Sequence, residues 1–272
     1  MVTYMRTASM PMYDMPEVRE ALDSLWTGLA RNMKREGVPD VPVTIAHGEA
    51  LHDLWTDPRL LLSQCCGYDI LHRYAGKLRP IATPRYGAPG CRGSDYSSVV
   101  VVAENCEKDD VLDMRGAVCV INGWESHSGM SALRALVAPS SRNGRFFSDV
   151  KVSGAHTASL EMVRLHEADV TAIDCVTYAM LESYRPDILD GTQVLGHTYR
   201  APGIPYVTHW DEHKDTVARI RTSVLQTFAD SDFATARRTL YLKDIEMPPP
   251  AIYRRIAEAE EIATRNGYPE LR

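Results

Sequence analysis

Two short stretches bring hydroxyl, imidazole and carboxylate groups together at spacings that suit ligand chemistry. The first is Asn122-Gly123-Trp124-Glu125-Ser126-His127-Ser128-Gly129, placed between an apolar run, Ala117–Ile121, and a segment carrying Met130, Leu133 and Leu136. The second is Ser153-Gly154-Ala155-His156-Thr157, again between an apolar run and an amphipathic segment. In both, hydroxyls and free backbone N–H groups gather at the start of a helix, where the macrodipole favours negative charge, so each is a candidate anion cradle. The same serines and threonines also suit ordinary N-caps, their commonest use. Asp174 ends a third apolar run, Val170–Ile173. A carboxylate there demands a partner, either a cationic ligand group or the amides of the helix that follows. Glu125, beside the first cradle, would repel an anion unless it points away or meets an ammonium group.

Other residues point to chemistry less directly. Gln64 precedes the vicinal pair Cys65-Cys66, and its neutral amide at a strand end is a candidate ligand contact. The two cysteines read as small apolar residues of a buried strand end, with a reactive thiol as the alternative. His209 and His213 stand four apart, the spacing of helical metal ligands, but without the HExxH order, so no metal site is expected. No GxSxG elbow, phosphate-binding P-loop or GxGxxG fingerprint occurs, and no cofactor is implied. Tyr86, Tyr96, Trp124 and Tyr206 either line a cleft or pack at a junction.

The elements that must position these groups alternate. Thr7–Met12 predicts a strand, and Val18, Leu22, Leu25, Trp26 and Leu29 mark one face of a long helix, with Asp14 and Glu17 as a capping box. Strands are expected at 41–46, 60–65, 78–83, 98–103, 117–121, 149–152, 170–173 and 194–199. Helices are expected at 47–55, 67–75, 128–137, 157–166 and 176–184. Strands separated by helices of about ten residues predict a mostly parallel sheet. After Pro205 the chain reads as mainly helical, at 211–228 and 252–266. Turn residues cluster at Pro84–Ser97 and at Arg200–Pro205, which makes these the expected crossings between two lobes and candidate hinges. The expected organisation is a discontinuous first lobe from residues 1–92 and 200–272, an inserted second lobe, 93–199, and a ligand cleft between them.

Composition excludes several classes. The chain has 272 residues, 44% hydrophobic and 24% charged, so a folded soluble protein with a substantial core is the default. A net charge of -6 and the lack of any basic run argue against nucleic acid as a partner. No apolar run approaches the ~20 residues of a membrane helix, so membrane insertion is not expected. The N-terminal residues lack the layout of a secretory leader. The reading is a cytoplasmic protein as written, or a periplasmic one if a leader has been removed. Six cysteines, none in a CxxC pair, suit reduced thiols.

One ordered set of residues resembles a known family. Gly67-Tyr68, Arg115-Gly116, Glu125-Ser126-His127-Ser128-Gly129, Gly154-Ala155-His156, Ala168-Asp169 with Ala172-Ile173-Asp174, and Ala201-Pro202-Gly203-Ile204-Pro205 are similar to the phosphate/phosphonate-type substrate-binding proteins of ABC transporters. The resemblance spans about residues 60–207. It implies the type II periplasmic-binding-protein fold, two α/β lobes closing on a small ligand, with an ABC permease as partner. It also implies that Ser126, Ser128 and His156 hold phosphonate oxygens, that Asp174 pairs with a ligand amine, and that Tyr68 and Tyr13 are cleft tyrosines. His127 stands where the family usually has a hydroxyl residue, and Ala155 where serine is usual, which leaves fewer hydroxyl donors. The expected function is capture of a small anionic or zwitterionic ligand without catalysis. The alternatives are an enzyme on the same scaffold, like the pyrimidine-precursor synthases that share it, and an intracellular ligand sensor.

Overall fold

The computed structural model describes residues 5–272. Its elements run β1 (Thr7–Ala8), α1 (Arg19–Arg35), α2 (Leu51–Thr56), β2 (Leu60–Gln64), α3 (Gly67–Leu71), β3 (Leu78–Tyr86), β4 (Asp95–Tyr96), β5 (Ser98–Ala103) and β6 (Val118–Ile121). They continue with α4 (Ala132–Val137), β7 (Asp149–Val152), α5 (His156–Arg164), β8 (Val170–Asp174), α6 (Cys175–Tyr184), β9 (Thr192–His197) and β10 (Ala201–Pro202). Then follow β11 (Tyr206–His209), α7 (Lys214–Ala229), α8 (Ala234–Thr239), β12 (Leu242–Glu246) and α9 (Arg254–Arg265).

The chain divides into two compact units. One holds the chain through Gly87 together with Gly203–Ile252, the other Ala88–Pro202 together with Tyr253–Arg272. In the first unit the strand order is β1-β2-β11-β3-β12; β1, β2 and β3 share one direction and β11 and β12 run against them, so β1–β2 is the parallel neighbouring pair. In the second the order is β7-β6-β8-β5-β9, with β7, β6 and β8 mutually parallel and β5 antiparallel to both β8 and β9. Each sheet is therefore mostly parallel with reversed members, β11 and β12 in the first and β5 in the second. A βα turn followed by a crossover returns a strand parallel to its predecessor. β5 and β11 instead arrive along chain crossings, and they enter their sheets reversed.

In the second unit β5 and β8 are buried along their whole length, so each reads as a continuous apolar run with no alternation. α5 and α6 pack on them, burying Leu160, Val163, Val176 and Met180. In the first unit α1 lays Leu22, Leu25, Trp26, Leu29 and Met33 into the core.

Several expectations give way. β1 covers two residues, and Pro11–Tyr13 is a 3-10 turn. Asp14 and Glu17 do not box α1, whose N-cap position, Val18, has no side-chain cap. Asp14 bonds Arg19 at 3.0 Å and His47 at 3.0 Å instead, because the 3-10 turn Pro16–Val18 intervenes and α1 takes Val18 as its N-cap, four residues past Asp14. Residues 41–46 form no strand: Pro42 removes a donor, Val43 points into solvent, and one backbone bond, Ala46 N to Ala8 O, ties the segment to β1. The C-terminal third also holds β11 and β12. Finally, residues 253–272 pack in the second unit: Arg134 of α4 donates to Pro269 O and pairs with Glu260, and Arg255 makes a two-armed bond with Asp95 at 2.9 and 2.8 Å.

Candidate functional site

The second unit assembles the expected oxygen-binding residues from two neighbouring strand ends. β6 leads into the 122–126 turn and then into a single π-helical turn, His127–Ser131, closed by Ser131 N to Ser126 O at 3.1 Å, before α4 continues. Such wide turns recur at functional sites because they re-aim side chains without ending the helix. β7, hydrogen-bonded in parallel to β6, leads into 153–155 and α5. The parallel pairing sets both turns at the same edge of the sheet, and His156 Nε2 lies 3.1 Å from Ser128 Oγ. Ser126 Oγ is 3.5 Å from Ser128 Oγ and accepts Gly129 N–H at 3.0 Å. Ser126 is therefore both N-cap and neighbour of the pair, and the Gly129 amide is bonded to it.

Gly129 is required by contact. A Cβ at that position would stand 1.9 Å from Asn122 Oδ1. Asn122 was not singled out from the sequence, yet its Oδ1 is buried with no hydrogen-bond partner, as are His127 Nδ1, Ser131 Oγ and His156 Nδ1. Buried polar atoms normally have partners, so this many open ones in one turn and the adjacent helix start call for water or a ligand. A glycine inside an otherwise helical start is the sequence signal that would have found the Asn122 contact.

Burial holds both imidazoles neutral. It lowers the His127 and His156 pKa values to about 4 each, and at pH 7 each ring carries one N–H donor and one acceptor. His127 faces inward, its ring centroid 6.1 Å from both Tyr96 and Tyr199. It is a core ring behind the turn rather than a second hydroxyl substitute. Ser128 and His156 also lack the third member of a hydrolytic triad, since His156 Nδ1 has no carboxylate to orient it.

The remaining candidates of this unit are placed differently. Asp174 is buried and its Oδ1 accepts Val176 N–H at 2.7 Å and Thr177 N–H at 2.9 Å, which makes it the N-cap of α6. Ser153 Oγ sits 2.7 Å from Ser159 Oγ and within bonding distance of Ile121 O and Ala155 O, so it braces its own turn. Thr157 is half-buried in the first turn of α5, and Glu125 is exposed. Trp124 is exposed, and Tyr96 is buried against His127.

In the first unit Tyr13, Gln64 and Tyr86 come together. The Tyr13 and Tyr86 rings meet edge to face at 5.2 Å, and Gln64 Nε2 donates to Tyr86 OH at 3.1 Å, leaving Gln64 Oε1 buried and unpartnered. Tyr68, on α3, packs on His72 with ring centroids 4.3 Å apart. Cys65 is buried, and burial, with Asp69 and Cys66, holds its thiol well above the ordinary range, which slows it as a nucleophile, and its sulfur donates to Cys66 O at 3.6 Å rather than to another cysteine's sulfur. Tyr206 is a core residue of β11. His209 ends β11 while His213 caps α7 through Nδ1 to Asp215 N, so the two do not share a helix face. Among the described residues no group of three or more His, Cys, Asp or Glu is arranged to hold a metal ion.

Known structures share this architecture. A binding-protein component of an ABC phosphonate transporter from Pseudomonas aeruginosa superposes with TM-score 0.74 at 14% identity, covering 96% of this chain and 88% of that one. PhnD1 from Prochlorococcus marinus in complex with methylphosphonate gives 0.72 at 13%, covering 96% and 98%. XAC2383 from Xanthomonas citri bound to ATP gives 0.68 at 16%, covering 97% and 98%. No curated protein matches the sequence. The fold is thus of the type II periplasmic-binding-protein class, that of the two-lobed solute-binding proteins. Residues 10–246 match the phosphonate periplasmic substrate-binding proteins of ABC transporters, and the chain belongs to that family, whose role is binding for transport rather than catalysis. Among the described residues no helix is long and apolar enough to cross a membrane.

Proposed function

We propose that this chain captures a phosphonate or a similar small tetrahedral oxyanion for ABC-type uptake, and that Ser126, Ser128 and His156 hold its oxygens. The carrying observation is the Ser128–His156 contact at 3.1 Å, with Ser126 Oγ 3.5 Å from Ser128 and open buried polar atoms in the same turns. Recognition by uncharged donors suits this site. Two hydroxyls can each rotate a hydrogen toward an oxyanion, and a neutral imidazole adds one N–H, while a bare cation buried there would carry a large desolvation penalty when the ligand leaves. The phosphonate bound by the Prochlorococcus PhnD1 is a ligand of the proposed class. Catalysis is not part of the reading, because Ser128 and His156 lack an orienting acid and the Cys65 thiol is held protonated.

Isothermal titration calorimetry with methylphosphonate, and separately with inorganic phosphate, tests this. Saturation with the cognate oxyanion should raise Tm, since a ligand at a hundredfold excess over Kd adds about 2.7 kcal/mol to stability. Ser128→Ala should weaken binding by roughly tenfold or more, the weight of a lost hydrogen bond to a charged group. Retention of full affinity in both Ser128→Ala and His156→Ala would refute the site. Phosphorus NMR of ligand incubated with the protein should show it unchanged, and a new product peak would restore the enzyme alternative.

A further inference from the structure

Besides the vicinal Cys65 and Cys66, the fold brings together two cysteines that are distant in sequence. Cys91 and Cys175 lie 84 residues apart in sequence, both within the second unit, with their sulfurs 3.5 Å apart. The backbone is arranged around this contact. Gly90 has φ +95°, and a Cβ there would stand 3.0 Å from Cys175 Cβ and 3.2 Å from its sulfur, so residue 90 must be glycine for Cys91 to approach α6. Gly90 O is held from two sides, by Ser97 Oγ at 3.2 Å and Arg200 Nε at 3.1 Å, and Cys175 N–H is held by Ser97 O at 3.1 Å. Both cysteines thus sit on anchored backbone.

Their environments differ in a way that orders a reaction. Cys91 is half-buried, while Cys175 is buried at the start of α6 and borders a cavity of about 190 Å³ with Pro89, Val99, Tyr178 and His197. We infer that Cys91 and Cys175 form a disulfide modification site, oxidised by thiol–disulfide exchange with a small-molecule or protein disulfide. The Cys91 thiolate attacks one sulfur of the oxidant and expels one thiol, leaving a mixed disulfide. The Cys175 thiolate then attacks Cys91 sulfur and expels the second thiol. The chain loses two hydrogens, the oxidant gains two, and no other reactant is needed. Closing the pair moves the sulfurs by roughly 1.5 Å, from van der Waals contact to a bond of about 2.05 Å. The bond would staple the 88–97 segment to the helix that Asp174 caps.

The hydrogen bond between the thiols, followed by burial, raises the Cys91 pKa, so the reaction is read at its end point rather than as a rate. The full chain is incubated with oxidised glutathione, freed of it, unfolded and alkylated with iodoacetamide in denaturant, and mapped by mass spectrometry. The expected product is lighter by two hydrogens, takes up four alkyl groups instead of the six of the reduced chain, and yields one cross-linked peptide containing Cys91 and Cys175. Tm should rise by roughly 5 °C over the reduced protein and fall back with dithiothreitol, as for a bond closing a long loop. Cys175→Ser should stop at a stable glutathione adduct on Cys91. Six alkylated thiols after oxidation, a glutathione adduct persisting on the unmutated chain, or a cross-link between any other cysteines would overturn the inference.

Discussion

At the scale of single residues, the site proposed in the second unit draws on side chains that also build its scaffold. Ser126 caps the helical turn and belongs to the proposed site, so Ser126→Ala should lower stability by about 1 kcal/mol through the lost cap as well as weaken oxyanion binding, which thermal unfolding and titration separate. Gly129→Ala should be worse, because its Cβ meets Asn122 Oδ1 head on; a loss of about 2–3 kcal/mol is expected. His127 gives a pH signature. Its pKa is near 6.5 unfolded and about 4 folded, so the unfolded chain takes up a proton first as pH falls. Its contribution to stability is complete above pH 6.5 and declines toward pH 4, by on the order of 3 kcal/mol. Relative to the parent, His127→Asn should flatten the dependence of Tm on pH across that window, and an unchanged slope would show that the ring is not held neutral. The hydroxyl-imidazole cluster was legible in the sequence because turns that follow strands announce themselves. Asn122 was not, since its role depends on a contact across the turn that no spacing displays.

Among the elements, the informative cases are those where a capping residue found other work. Asp174 was open to two uses from sequence, and its two amide bonds to α6 favour the cap. Asp174→Ala should therefore cost about 1–2 kcal/mol while Asp174→Asn retains most of it. If Asp174→Asn instead abolished binding of an aminophosphonate at unchanged Tm, the carboxylate would have to serve the ligand. Asp14 illustrates the reverse. Its sequence position suggests a box on α1, but it bonds His47, which also reaches Asp23 at 3.1 Å. Partial burial lowers the His47 pKa, yet the hydrogen bonds and charges of Asp23 and Asp14 outweigh it and the net shift is upward. The stabilisation from that bridge is present below pH 6.5 and fades as pH rises through the folded value, so His47→Ala should reduce Tm more at pH 6 than at pH 8. Local propensity places the helices well; it fails for the α1 cap because residue 47 is brought there by tertiary folding.

For the whole molecule, alternation of strands and helices in the sequence was enough to indicate an α/β fold, but not the direction of every strand. β11 and β12 lie beyond the second crossing, where short apolar stretches such as Tyr206–His209 resemble helix flanks until the sheet that receives them is known. The same holds for α9, whose partners Arg134 and Asp95 lie 126 and 160 residues upstream. Ending the chain at Ile252 should strip the second unit of α9 and of the buried Tyr268. Hydrogen exchange should then show amides of β5 and β6 losing protection, and full protection there would mean that the unit is self-sufficient without its last segment.

The divided units also dictate a timetable. As the chain emerges during synthesis, the first unit waits for residues 203–252 and the second for the segment that follows them. The four consecutive valines Val99–Val102, covered in the finished sheet, stay open until β8, β9, α5 and α6 have been made. Contacts of such long reach form slowly, and exposed β-rich stretches invite self-association. Newborn chains should thus depend on a holding chaperone until synthesis has passed β9.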